Sequence, residues 1–87
     1  MTEESRKQFE SLKALHPDAL LMFRDGDSYA MYADDAETAE KHLPVFAVRS
    51  DGNEAIIPEV RFPHFHLDIF LPRLIRAGFR IAICDPI

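Results

Sequence analysis

Residues 22–35, MFRDGDSYAMYADD, decide the fold, because two apolar-rich stretches flank a tight turn at Asp25, Gly26 and Asp27. Glycine accepts turn backbone at little cost and aspartate side chains bond nearby backbone groups, so this pattern predicts a β-hairpin. Its first strand is the apolar run over residues 19–23 and its second is Ser28–Tyr32. Alternation along the second strand places Tyr29 and Met31 on one face and Ala30 and Tyr32 on the other.

Working outward, Glu3–Leu15 reads as a helix with Phe9, Leu12 and Leu15 on one stripe, Thr2 as its N-cap and Pro17 closing it at His16. After the hairpin, Asp34 or Asp35 is placed to cap a second helix, with Glu37 three residues after Asp34, an apolar stripe of Ala36, Ala39 and Leu43, and Pro44 as its stop. Residues 45–49 and 55–60 read as two further strands joined by the turn Ser50, Asp51, Gly52, Asn53. Leu67, Phe70, Leu71, Leu74 and Ile75 then give the cleanest helical spacing in the chain, with Gly78 as the expected left-handed C-terminal residue. Pro72 lies inside that stripe, so the helix is expected either to start at Asp68 or later or to bend. Residues 80–85 close the chain as an apolar strand expected in the middle of the sheet. The order α-β-β-α-β-β-α-β defines an α/β fold with a mixed sheet flanked by helices, in a single domain over residues 1–87.

Composition narrows the function classes. With 87 residues, 47 % hydrophobic, 29 % charged and only 9 Gly plus Pro, the chain is suited to one small core rather than to disorder. At this size roughly 60–65 % of the unfolded surface is buried. No apolar run approaches the ~18 residues that span a bilayer, and the acidic-amphipathic start is unlike a signal peptide, so a cytoplasmic protein with no membrane partner is expected. The lone Cys84 follows an apolar run and reads as a buried thiol. Net charge is −5, and residues 1–43 hold 5 basic and 10 acidic side chains against 5 of each in residues 44–87. Such a chain binds nucleic acid weakly unless its basic groups cluster.

Arg73 and Arg76 are neighbours on the last helix and Arg80 follows its cap, which suits either a few phosphate contacts or the solvated face of an amphipathic helix. Arg24 and Arg61 extend that patch if the two hairpins lie side by side. His64, His66 and Asp68 form H-x-H-x-D, but no second cluster with ligand spacing accompanies them, and a helix N-terminus with Asp68 offsetting the dipole explains them. Asp25, Asp27, Asp34 and Asp35 lack the spacing of a calcium loop and fit turn and cap roles. No G-x-x-x-x-G-K-[ST] loop exists, so neither an ATP site nor any other cofactor or metal is expected.

Three blocks in order carry a family resemblance: LKALHPDALLMFRDGDSY, with a His-Pro step before a strand and a Gly-Asp turn; MYADDAETAEKHL, an Asp-Ala helix; and IIPEVRFPHFHLDIFLPRLIRAGFRIAICDPI, an Ile-Pro segment, a Leu-rich helix and a closing Ala-Ile-Cys strand. Together, from about Phe9 to Pro86, they resemble the first domain of the MutS family of DNA mismatch-repair proteins. The resemblance implies the fold above and a non-catalytic, DNA-related role, since the family clamps DNA and hydrolyses ATP with other domains. In the family the turn is followed by a phenylalanine that wedges into a mispaired step and, two positions on, by a glutamate that bonds the displaced base. Here those positions hold Ser28 and Ala30, which offer no aromatic face and no acceptor. Tyr29 is aromatic but points to the opposite face. The expected role is therefore a free-standing module that binds DNA, weakly, as an accessory factor through Arg24, Tyr29, Arg61, Arg73, Arg76 or Arg80. The alternative is a module that docks onto a repair, replication or mobile-element protein without touching DNA.

Overall fold

The computed structural model describes residues 3–49 and 57–84. Its elements follow the expected order: α1 (Glu3–Leu15), β1 (Ala19–Asp25), β2 (Ser28–Tyr32), α2 (Ala33–His42), β3 (Val48–Arg49), β4 (Pro58–Pro63), a single 3-10 turn (His64–His66), α3 (Leu67–Arg76) and β5 (Arg80–Cys84). The strands form one five-stranded sheet in the order β3-β4-β2-β1-β5, antiparallel throughout except for the parallel β1–β5 pair. The two hairpins do lie side by side, joined through β2 and β4.

The contiguous apolar run of β1 is explained by burial on both faces of the sheet. Leu20 and Met22 join Tyr29, Met31, Val60 and Phe62 beneath α2 and α3, which contribute Ala36, Ala39, Leu43, Phe70 and Leu74. Leu21 and Phe23 face the other way, with Ala30 and Tyr32, against Phe9 of α1. Phe9, Phe23 and Tyr32 pack as three mutually tilted or edge-on rings with centroids 5.8–6.0 Å apart.

Several details depart from the sequence reading. β5 pairs only with β1 and lies at the sheet edge, not in its middle, which leaves Ile83 exposed. Neither Asp34 nor Asp35 caps α2: the helix begins at Ala33, with Tyr32 in the cap position and both aspartates inside the first turn. Asp35 is instead buried, accepting from Lys13 Nζ at 2.8 Å and from the Leu21 N–H at 3.1 Å, so it ties α1 and β1 to α2. Leu15 is 72 % exposed and Ile75 is exposed too, because the sheet covers a narrower stripe than either helix presents. α3 starts at Leu67, ahead of the expected start, and carries Pro72 in its interior. Among the described residues β3 covers Val48–Arg49, starting after the Val45 expected for it, and β4 runs on to Pro63, past the end expected for it. Cys84 is half-buried rather than fully buried. Thr2, the turn at Ser50 to Asn53 and Asp85 lie outside the described residues.

Gly78 does close α3 as expected. It has φ 97°, and the Phe79 N–H to Leu74 O and Gly78 N–H to Ile75 O bonds, 3.1 and 3.0 Å, make the paired closure of a Schellman motif.

Candidate nucleic-acid interface

The turn between β1 and β2 is held from three sides. Gly26 adopts φ 59°, the Arg24 Nε donates to the Gly26 carbonyl at 2.6 Å, and the His64 N–H donates to the Asp27 carbonyl at 2.8 Å. Immediately after it, Ser28 is half-buried between Asp25 of β1 and Pro63 of β4, and Ala30, 0 % exposed, sits between Phe23 and Arg61.

Arg61 determines what this face presents. It lies on β4, yet its Nη1 reaches Asp25 Oδ2 on β1 at 2.6 Å while its Nε donates to Glu59 Oε2 at 3.0 Å. Since β2 lies between β4 and β1, the guanidinium crosses the central strand over the small side chains of Ser28 and Ala30. Burial works against the Arg61 charge, but the bonds to Asp25 and Glu59 outweigh it and hold the group protonated above its ordinary range. Burial, reinforced by the Glu59 charge, also raises the Tyr32 hydroxyl above its usual value, with Arg61 opposing. The result is a cluster of one cation and two carboxylates, so the face carries net negative charge where a phosphate backbone would have to approach.

The remaining candidates do not assemble into one patch. Tyr29 is only 8 % exposed and belongs to the α2/α3 core, packed on Phe62 with centroids 5.8 Å apart and with the Arg24 guanidinium 5.3 Å above its ring. A surface contact by Tyr29 is thereby removed. Arg24 shares that face by strand alternation, opposite to Arg61. Arg80 alternates with Ile81, which packs under α3, and so lies on the α1 side, 3.5 Å from Asp18. Arg73 and Arg76 stay together, exposed on α3, and among the described residues neither has a carboxylate partner.

His64, His66 and Asp68 gather no third-party ligands: among the described residues no group of three His, Cys, Asp or Glu side chains is placed to hold a metal. His66 packs instead between Phe65 and Phe70. No described helix is long and apolar enough to cross a membrane. The Asp25–Arg61–Glu59 cluster escaped sequence reasoning. Glu59 and Arg61 stand two apart on a strand, a visible signal, but Asp25 is 36 residues away from Arg61 and only the strand order brings it near.

Residues 4–87 match the model of the MutS domain I family. The chain is 50 % identical over 80 residues to the DNA mismatch repair protein MutS of Bacteroides thetaiotaomicron, 49 % over 80 residues to that of Bacteroides fragilis and 42 % over 82 residues to that of Salinibacter ruber. These alignments cover 91–93 % of this chain but only 9 % of each relative's length. With an ordered match over nearly its whole length and the α/β architecture to accompany it, the chain belongs to the MutS domain I family.

Proposed function

We propose that the chain is a non-catalytic, cytoplasmic mismatch-repair-related module, one domain over residues 1–87, that contacts DNA phosphates through α3 and does not insert a side chain at a mispaired step. Family membership supports the DNA-related part of this reading. The observation that carries the rest is a contrast between arginines: Arg73 and Arg76 are exposed without a carboxylate partner among the described residues, whereas Arg61 is held by Asp25 and Glu59 over Ser28 and Ala30. Phosphate contacts release counterions, so affinity should fall steeply with added salt. Replacing Arg73 and Arg76 together with alanine is expected to abolish most duplex binding at low ionic strength and to flatten the salt dependence by about 0.9 per lost contact. The reading is untenable if neither duplex nor single-stranded DNA binds the native protein at low salt. A second reading, docking onto another protein without DNA, is favoured by the net charge of −5 and the anionic face around Arg61. A complex that forms with a specific protein and ignores both DNA and the two alanine substitutions would establish it.

A further inference from the structure

Among the described residues β3 pairs with β4 through Val48–Glu59 and Arg49–Pro58. Continued backwards, that register would set Phe46 opposite Arg61 and Pro44 opposite Pro63. The chain peels away instead: the Val45 N–H turns back to the Leu43 carbonyl at 2.8 Å, and the Ala47 N–H is taken by Glu40 Oε2 at 2.9 Å. A groove of about 430 Å³ opens where the first half of the strand would have run, lined by Phe46, Phe62, Pro63, Ile69, Phe70 and Arg73 among others. That volume falls within the range of about 300–1,000 Å³ usual for ligand sites.

Three features specify what fits. The first is the backbone of β4. Since the His64 N–H bonds Asp27 O across the β2 register, ladder alternation turns Val60 and Phe62 towards β2 and leaves the Arg61 N–H and C=O and the Pro63 C=O facing the groove. These are hydrogen-bonding groups for another extended backbone. Second, the walls are apolar, and Phe46 at 86 % and Ile69 at 56 % exposure stand open to solvent. Third, the charge here is positive in an acidic chain. Arg73 lines the groove without a described carboxylate partner, whereas the Arg61 guanidinium is directed to Asp25 on the other face of the sheet.

We infer that this groove is a docking site for an extended segment of a partner protein, which adds as a strand beside Arg61–Pro63, buries an aromatic or large aliphatic side chain between Phe46 and Ile69, and sets a carboxylate against Arg73. The site lies apart from the Ser28–Ala30 face but shares Arg73 with the phosphate surface proposed above, so a bound peptide and a duplex would compete for that side chain.

The test is to pan a displayed library of random eight-residue peptides against the native protein, then titrate fluorescein-labelled copies of the enriched sequences. Enrichment of an apolar residue and an Asp or Glu an even number of positions apart is expected. Ile69→Glu and Arg73→Glu, both at exposed positions that spare the core, should each weaken peptide binding at least tenfold. Bound peptide should slow hydrogen exchange of the Arg61 amide. The inference is overturned if no sequence is enriched, if binding ignores both substitutions, or if the Arg61 amide exchanges as fast with peptide as without. Sedimentation showing a dimer that Ile69→Glu dissolves would assign the groove to a second copy of this chain and would equally overturn it.

Discussion

A side chain that reaches over a neighbouring strand needs small residues beneath it, and Arg61 finds them in Ser28 and Ala30. In the proposed reading, where Ser28 and Ala30 stand at the family's probe positions, these two small side chains and Arg61 are one structural unit. Restoring the probe with Ser28→Phe and Ala30→Glu while Arg61 remains is expected to leave mismatch preference absent, because the guanidinium occupies the same space. Adding Arg61→Gly should release a preference on the order of 10-fold, given that a stacking contact contributes about 1–3 kcal/mol; competition between matched and mismatched duplexes measures it, and a preference already present with Arg61 intact would contradict the coupling. Asp35 gives a second residue-scale prediction. Asp35→Ala leaves the Leu21 N–H without its acceptor and the Lys13 ammonium with the Ala19 carbonyl alone, so it should cost about 1–3 kcal/mol in urea denaturation. Lys13→Met should cost at least as much, because it leaves the buried Asp35 carboxylate with the Leu21 donor but without a cation. The sequence showed Asp35 as an acidic residue near a helix start; its role as an internal tie depends on Lys13, 22 residues earlier, and local pattern does not carry that information.

At the scale of elements, helices and hairpins were readable because their signals are local: the Asp-Gly-Asp turn, the spacing of Phe70 and Leu74, and the Schellman closure at Gly78 all appear as written. Placement within the sheet was not, because an apolar run such as residues 81–83 looks the same at an edge as in the centre, and only the pairing partners distinguish them. β3 starts late, at Val48, and the residue just before it is tied to α2 instead, its N–H donating to Glu40 Oε2. α3 carries a testable cost. Pro72 sits in its sixth position, lacks the N–H that would bond the Asp68 carbonyl, and is exposed, so it contributes little packing to set against that loss. Pro72→Ala should therefore raise stability by about 1–3 kcal/mol with no change in fold, read as a higher urea midpoint at unchanged slope.

For the whole molecule, charge and topology act together. The acidic excess lies in the first half of the chain, and the sheet order brings Asp25 from that half against Arg61 from the second, cancelling a basic group that the sequence left available. In the proposed reading phosphate is left to α3, on the face of the sheet opposite to Ser28 and Ala30. Base-edge and wedge contacts specify, whereas phosphate contacts position, so a domain arranged this way should hold DNA without reading a mispair. The measurement that tests this most directly is fluorescence anisotropy at low and moderate salt with a matched duplex, the same duplex carrying one mismatch, and a single strand. Salt-sensitive binding with equal affinity for the two duplexes is the expected result; a clear preference for the mismatched duplex, which would require a probing side chain other than Ser28, would contradict it.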